Sequence, residues 1–335
     1  MRREQERLIG NAKYAIGIAW ACLVGLMITS VLVYRPDLFS KNSSFPVDSA
    51  TTKMWAAPDT SEFENHPNGV QLRYGRDLIA HTSKYLGPNG AVAQISNGMN
   101  CQNCHLYAGT KPYGNNFGSV ASMYPRFRER SGTKESIEKR VNDCLQRSLN
   151  GQPLDSLSKE MRSIVAYLTW VGSNVPKGTK APGSGLWKIS ILNRAADSIR
   201  GKHVYEESCR ICHGNQGEGL MRFNKKEYVF PPLWGDYSFN TAAGLYRISN
   251  LANYVYANMP MGASYKQPQL TEEQAWDVAA YIVSKQRPVK MFVQDWPNVN
   301  TKPFDHPFGP YADTLSEATH KYGPFQEILQ LRKEK

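Results

Sequence analysis

Two short segments of the chain place two cysteines three positions apart, with a histidine directly after the second cysteine. The cysteines are Cys101, Cys104, Cys209 and Cys212, and the histidines are His105 and His213. At this spacing the two thiols can add across the vinyl groups of a haem while the histidine binds the iron. A redox dithiol or half of a zinc site is the alternative, but two copies that both continue into histidine favour haem. The sequence therefore predicts two covalently bound haem c groups.

The second axial ligand of each iron is predicted from a weak internal repeat. In the second half of the chain the segment ANMPMG offers Met259 and Met261, and a methionine ligand raises the haem potential. Met259 lies nine residues before Pro268, which belongs to a Gln-Pro pair. Nine residues before the corresponding Pro153 of the first half lies Cys144. We predict Met259 as the axial ligand of the second haem and Cys144 as that of the first.

The count of cysteines is consistent with a separate role for Cys144. The chain has six cysteines, and the attachment motifs account for all of them except Cys22 and Cys144. Cys22 lies inside a hydrophobic segment, so a disulfide with Cys144 is geometrically implausible. An ordinary buried cysteine is the alternative for Cys144, and Met123, Met161 and His81 are the alternatives for the ligand. A thiolate ligand would lower the haem potential, which suits a site of sulfur chemistry better than a simple relay.

Basic residues surround Cys144 in the sequence. Arg140, Cys144 and Ser148 are spaced at i, i+4 and i+8, so they share one face if the segment is helical. Arg130 precedes them. Guanidinium groups bind oxyanions through paired hydrogen bonds, although a solvated basic surface is the alternative for any single arginine. These residues are candidates for an oxyanion site beside Cys144.

The chain is organised as two similar halves. Each half has a helix-like stretch before its attachment motif and an amphipathic helix with an Ala-Tyr pair at its end. This order predicts an all-α fold of two tandem class I cytochrome c domains, residues 61–175 and 199–290. Residues 176–198 are predicted to be a linker, and 291–335 a C-terminal extension that covers the second domain.

An uncharged hydrophobic segment precedes both domains. Residues 14–34 reach roughly 30 Å as a helix, enough to cross a bilayer. Arg2, Arg3 and Arg7 precede this segment and place residues 1–13 in the cytoplasm. We expect an uncleaved single-pass anchor in the inner membrane, a tether at 35–60 and both domains in the periplasm; a cleaved signal peptide is the alternative.

The chain is basic, with a net charge of +11 and a pI near 9.3. It contains no lysine and arginine run of the type that binds nucleic acid, so no nucleic-acid partner is expected. A generally basic surface, an anionic substrate and an acidic partner all fit this charge.

Four segments together resemble the thiosulfate dehydrogenases, the tetrathionate-forming dihaem cytochromes c. The segments are NGMNCQNCHLYAGTKPYGNNF, RVNDCLQRSLNG, CRICHG and ANMPMG, and the resemblance extends from about Trp55 to residue 290. It implies the reaction 2 thiosulfate ⇌ tetrathionate + 2 electrons, with a cytochrome c or another respiratory-chain component as electron partner. Some relatives have a lysine before the methionine ligand, where this chain has Asn258, and the membrane anchor also differs from the soluble members.

The resemblance also implies a role for each matching residue. The implied axial ligands are His105 and Cys144 for the first haem and His213 and Met259 for the second. The residues implied to hold the sulfonate oxygens are Arg130, Arg140 and Ser148. Two other functions fit the same features: a membrane-tethered dihaem electron carrier without a substrate, and a haem–thiolate carrier whose cysteine is loaded with sulfur for a partner.

Overall fold

The computed structural model describes Trp20, residues 53–223 and residues 226–333. Contacts divide the chain into residues 1–51 and residues 52–335. Among the described helices, none combines the length and the apolar character that a membrane crossing requires. The segment predicted to be the anchor, residues 14–34, lies outside the described residues apart from Trp20.

Helices form most of the regular structure in the described residues. The helices before residue 175 are α1 Gly69–Ala80, α2 Thr82–Leu86, α3 Leu106–Gly109, α4 Val120–Met123, α5 Ile137–Arg147 and α6 Lys159–Val171. The later helices are α7 Ser198–Ser208, α8 Arg210–His213, α9 Ile248–Asn258, α10 Glu272–Ser284, α11 Glu317–Tyr322 and α12 Gln326–Lys333. Short 3₁₀ turns lie at Thr60–Glu64, Cys101–Asn103, Gly244–Tyr246 and Val299–Thr301. The predicted helical character is therefore confirmed.

Two small hairpins were not predicted. In the first, β1 Arg126–Arg128 pairs antiparallel with β2 Thr133–Glu135. In the second, β3 Leu220–Met221 pairs antiparallel with β4 Tyr228–Phe230. Strands of two or three residues are too short to show the alternating pattern on which sequence-based strand prediction depends.

Each half contains a close crossing between its first and last long helices. In the first half α1 packs on α6, and a Cβ atom added at Gly75 would collide with the backbone carbonyl of Ser163 beside Tyr167. In the second half α7 packs on α10, and Gly201 meets the carbonyl of Asp277 beside Tyr281 in the same way. Tyr167 and Tyr281 are the tyrosines of the two Ala-Tyr pairs. The repeat seen in the sequence therefore corresponds to the same helix–helix contact in each half.

Local sequence explains where the two closing helices begin. Ser158 caps α6 by accepting a hydrogen bond from the backbone N–H of Met161, at 3.1 Å. Thr271 and Gln274 form a reciprocal capping box at the start of α10. The apolar face of α6, including Met161, Ile164 and Leu168, is buried. Capped N-terminal ends and, in α6, a buried apolar stripe explain why helices form in these segments.

The ends of the first domain are packed rather than free. The indole N–H of Trp55, within the predicted tether, donates a 2.9 Å hydrogen bond to the side chain of Asn174. In the predicted linker, the carbonyl of Gly183 accepts a 2.8 Å hydrogen bond from the backbone N–H of Tyr113. The described part of the tether and this part of the linker therefore belong to the first domain.

The C-terminal extension contacts both domains. Its residue Asp305 is buried in the second domain, where it accepts hydrogen bonds from the Arg247 guanidinium at 2.7 Å and from the backbone of Ser249 at 3.0 Å. Phe325 packs against Trp276 of α10. The expected cover of the second domain is present, but Asp295 also binds Arg147 of α5. The extension therefore reaches the first domain as well, which the sequence analysis did not predict.

Candidate functional site

The first attachment motif is fixed against the end of α1 and against α2. The backbone N–H of Cys101 donates to the Thr82 hydroxyl at 2.9 Å. The side chain of Asn100 accepts from the backbone N–H of Ser83 at 2.8 Å, and the backbone N–H of Asn100 donates to the Asn103 side chain at 2.7 Å. These bonds hold the motif in place through the buried residues Thr82, Ser83 and Asn100.

The two motif histidines have the tautomer that an iron ligand requires. The Nδ1 atom of His105 lies 2.5 Å from the carbonyl oxygen of Asn115, and the Nδ1 atom of His213 lies 2.8 Å from that of Pro231. A carbonyl only accepts, so Nδ1 carries the proton in each ring and the lone pair is on Nε2. Burial lowers the pKa of His105 to about 4 and also lowers that of His213, so both rings are neutral.

The cysteines and histidines of the two attachment motifs fit two covalently bound haem c groups. The four motif cysteines are free thiols, so they are available for thioether bonds. The ring of Phe117 stacks on the His105 ring at a centroid distance of 4.5 Å and restricts its rotation. Neutral imidazoles oriented by a backbone carbonyl are the usual form of a histidine ligand.

Met259 and Met261 lie in different environments at the end of α9. Met259 follows the last residue of the helix and is partly buried against the hydrophobic core. Met261 is 69 % exposed. The prediction that Met259 is the ligand of the second iron stays a prediction, and its burial supports it over Met261.

Cys144 lies on α5, as the spacing predicted. Ser136 caps the start of this helix, and Ser148 ends it with a 2.8 Å hydrogen bond from its backbone N–H to the Cys144 carbonyl. The side chain of Asn142 binds both backbone groups of Leu154, at 2.8 and 2.9 Å, and fixes the helix against the following loop. The helical face shared by Arg140, Cys144 and Ser148 is therefore present.

Electrostatic interactions place Cys144 beside the first attachment motif. Burial, together with the nearby Cys144, raises the pKa of Cys101 to about 11 and that of Cys104 to about 12. Cys144 is also the main cause of a raised pKa at Arg140, and Arg140 in turn contributes to the low pKa of His105. The predicted residues Cys144 and Arg140 thus adjoin the motif that binds the first haem.

The alternative ligands of the first haem have other roles. The side chain of Met161 is fully buried in the core. The ring of His81 lies 3.0 Å from a carboxylate oxygen of Glu227 in the second hairpin. Cys144 stays a prediction as the axial ligand, and its location supports it over these two.

A cluster of guanidinium groups adjoins Cys144. Burial, together with the neighbouring Arg147 and Arg140, lowers the pKa of Arg130 to about 10. Arg147 is 4 % exposed and is held by Asp143 and Asp295. The predicted residues Arg130 and Arg140 are therefore brought together, whereas Asp295 was missed because nothing in its local sequence connects it to this helix.

The second domain packs on the first attachment motif through α9. The Tyr254 hydroxyl donates to the backbone carbonyl of Asn103 at 3.1 Å, and the Asn258 side chain donates to that of Tyr113 at 3.1 Å. Met259 directly follows Asn258. The helix that presents the predicted ligand of the second iron therefore rests on the motif of the first, an arrangement suited to electron transfer between them.

Comparison with known proteins agrees with this two-domain arrangement. A family profile described as SoxA/TsdA, cytochrome c domain, matches residues 91–176, and one described as Cytochrome c matches residues 198–286. Two matched cytochrome c domains imply two covalently bound haem c groups, as the attachment motifs predicted.

Several similar proteins are thiosulfate dehydrogenases. That of Psychrobacter arcticus is 36% identical over 242 residues, which cover 72% of this chain and 71% of the relative. That of Stutzerimonas stutzeri is 35% identical over 231 residues, which cover 69% of this chain and 72% of the relative. A solved structure is also similar, that of thiosulfate dehydrogenase TsdBA from Marichromatium purpuratum in its as-isolated form. The TM-score is 0.65 and the identity 30%, and the match covers 73% of this chain and 52% of that chain. The chain belongs to the thiosulfate dehydrogenase family.

Proposed function

We propose that this protein interconverts thiosulfate and tetrathionate: two thiosulfate ions are joined through a sulfur–sulfur bond and two electrons are released, or the reverse. The observation that carries the proposal is that Cys144 shares a helical face with Arg140 and adjoins the first attachment motif, in a chain 36% identical to a thiosulfate dehydrogenase. Bound haem c supplies one-electron redox chemistry at each of the two motifs.

The arginines would make the approach of two thiosulfate ions possible. Two such dianions repel each other, and each contact between unit charges is worth about 4 kcal/mol at an effective dielectric constant near 20. Arg140 lies close enough to Arg130 to lower its pKa, and we propose that both guanidinium groups contact the bound anion. Fixed positive groups of this kind offset the repulsion as the new bond forms.

Cys144 would provide the sulfur that adjoins both iron and substrate. Its helix is held at both ends, since Asn240 of the second domain also donates to the Gln146 carbonyl at 2.9 Å. Ser148, one turn further along, is the third residue of this face and is a candidate for holding a sulfonate oxygen. We propose Cys144 as axial ligand and reactive thiol, and Arg130, Arg140 and Ser148 as the residues that hold the substrate.

Electrons would leave through the second domain. The contact of Tyr254 with Asn103 packs the helix that precedes Met259 on the first attachment motif, which favours rapid transfer. A methionine ligand at Met259 would raise the potential of the second haem above that of the first, so transfer outward would be favourable. A cytochrome c or another respiratory-chain component is the partner we propose.

We also propose that residues 14–34 anchor the protein in the inner membrane with both haem domains in the periplasm. The support is the uncharged sequence of this segment and the arginines before it. The expected result is that the protein stays with the membrane fraction after high-salt washing and that a protease added to spheroplasts digests the haem domains. Recovery in the soluble fraction would contradict the proposal.

The activity is tested with purified protein that carries both haems. Addition of thiosulfate is expected to reduce haem, seen as a change in the visible absorption spectrum, and tetrathionate is expected to accumulate when an electron acceptor is present. If thiosulfate leaves the haems oxidised, and tetrathionate does not reoxidise haems that dithionite has reduced, the protein is an electron carrier and the proposed activity is wrong.

A further inference from the structure

A short part of the C-terminal extension, residues 292–297, lies against the arginine cluster of the first domain. The backbone N–H of Trp296 donates to the carbonyl of Arg130 at 2.6 Å. Pro297 packs so closely on Gly132, in the β1–β2 turn, that a Cβ atom there would lie 2.7 Å from its ring. The ring of Phe292 lies 3.8 Å below the Arg147 guanidinium. We call these residues the 292–297 segment.

The 292–297 segment fixes one arginine of the cluster. Both carboxylate oxygens of Asp295 accept from the Arg147 guanidinium, at 2.6 and 2.8 Å. Asp143 lies 3.9 Å from the same group. A buried arginine that is paired with carboxylates is neutralised locally, so the positive charge that faces a ligand comes mainly from Arg130 and Arg140.

Three N–H donors of this region have no acceptor. They are Nε of Arg130, Nε of Arg147 and the indole Nε1 of Trp296, all buried atoms without a hydrogen-bond partner in the part of the chain that the structure describes. The Arg130 guanidinium carbon lies 5.6 Å from the centre of the Trp296 ring, so the two side chains adjoin. Buried donors are nearly always paired in folded proteins, so adjoining unpaired donors indicate a ligand that accepts.

The backbone conformation of Trp296 also indicates a ligand site. Its φ angle is 61°, in the left-handed region that residues with a Cβ rarely adopt. Strain of this kind persists where the surrounding structure holds it, and it is concentrated at ligand sites. The acceptor that suits an indole N–H between guanidinium groups is an oxyanion, because it accepts several hydrogen bonds and is attracted by the charge.

We propose that the indole N–H of Trp296 and the Arg130 guanidinium donate together to sulfonate oxygens of thiosulfate, so that the C-terminal extension is part of the substrate site. This inference rests on the proposed function. The indole adds a directional hydrogen bond without adding charge, and Asp295 keeps the neighbouring Arg147 in place. The C-terminal extension, which follows two complete cytochrome c domains, thereby contributes a hydrogen-bond donor to the substrate site of the first domain.

The test is Trp296→Phe, which keeps an aromatic ring beside Arg130 and removes the N–H. Loss of one hydrogen bond to a charged ligand is expected to raise KM for thiosulfate by about 10-fold or more, with a smaller change in kcat. The reduction potential of the first haem is expected to stay unchanged. Trp55→Phe is the matched control, because it removes an indole N–H bonded to Asn174 elsewhere in the first domain. Its KM should equal that of the wild type.

Two outcomes overturn this inference and are distinguishable from failure of the proposed function. An unchanged KM in Trp296→Phe, with an active wild type, removes Trp296 from the substrate site. An unchanged KM with a shifted first-haem potential assigns the N–H to a haem carboxylate. A wild type whose haems are neither reduced by thiosulfate nor reoxidised by tetrathionate overturns the proposed function and this inference together.

A measurement on the unmodified protein covers the case in which the variant does not fold. The haems are first reduced with dithionite and the reductant is removed, so that thiosulfate binds without being oxidised. A crystal structure of this complex is expected to place a sulfonate oxygen within hydrogen-bond distance of the Trp296 indole nitrogen. Thiosulfate bound without that contact overturns the inference.

Discussion

The hydroxyl of Tyr254 in the second domain donates a 3.1 Å hydrogen bond to the backbone carbonyl of Asn103, which lies between the two cysteines of the first attachment motif. Tyr254 is 5 % exposed, and burial raises its pKa well above the usual value, so the hydroxyl stays protonated and remains a donor. The bond connects the helix that ends at Met259 with the loop that holds Cys104.

Tyr254→Phe is expected to destabilise the folded protein without preventing haem attachment. The substitution leaves the Asn103 carbonyl without its partner, which costs about 1–3 kcal/mol and lowers the melting temperature by roughly 2–4 °C or more. Thermal unfolding followed by circular dichroism measures the shift. Tyr256→Phe on the same helix is the control, because the Tyr256 hydroxyl bonds to none of the described residues. An equal fall in melting temperature in both variants would contradict a specific role for the Tyr254 hydrogen bond.

Gly201→Ala is expected to destabilise the second domain strongly. Alanine favours a helix over glycine by about 1 kcal/mol, but the added Cβ would collide with the Asp277 backbone carbonyl, which moves only if α7 and α10 separate. Overpacking of this kind typically costs about 1–3 kcal/mol or more, so the collision outweighs the gain in helix propensity and the free energy of unfolding falls. Gly244→Ala is the control, since among the described residues beyond its chain neighbours no atom lies within 4 Å of its added Cβ. Chemical denaturation of both variants gives the two free energies of unfolding.

Much of the fold could be predicted because the information is local. Cys-x-x-Cys-His is a contiguous motif, and α6 and α10 combine a capping residue with an apolar stripe. The repeat was visible through Tyr167 and Tyr281, which meet Gly75 and Gly201 at the two helix crossings. The hairpins were not predicted because their pairing depends on short strands that lack a period of their own.

The site could be predicted only in part. Cys144 was found because the repeat places it opposite Met259, and its neighbour Arg140 shares its helix face. Asp295 and Trp296 were not found, because their contacts with Arg147 and Arg130 join residues far apart in the chain. No local pattern marks such a pair, and only the folded path of the extension brings it together.

Cys144→Ala is expected to abolish thiosulfate-dependent haem reduction while both haems remain attached. The four thiols that form thioether bonds are unchanged, but the sulfur beside Arg140 is lost, and that sulfur carries the proposed chemistry. Haem content is measured by mass spectrometry and activity by tetrathionate formation. A variant that keeps both haems and full activity would rule out the role of Cys144 and favour one of the other proposed ligands.

Met259→Leu is expected to lower the reduction potential of the second haem and to slow the transfer of electrons to an acceptor, with little change in fold. Leucine has a similar volume, so packing costs less than about 1.5 kcal/mol, but it has no thioether to bind iron. Met261→Leu is the matched control, because Met261 is 69 % exposed whereas Met259 is packed against the core. Potentiometric titration of both variants decides between the two methionines. If Met261→Leu shifts the potential and Met259→Leu does not, the loop after α9 rearranges when haem binds, and the ligand is the methionine that the structure leaves in solvent.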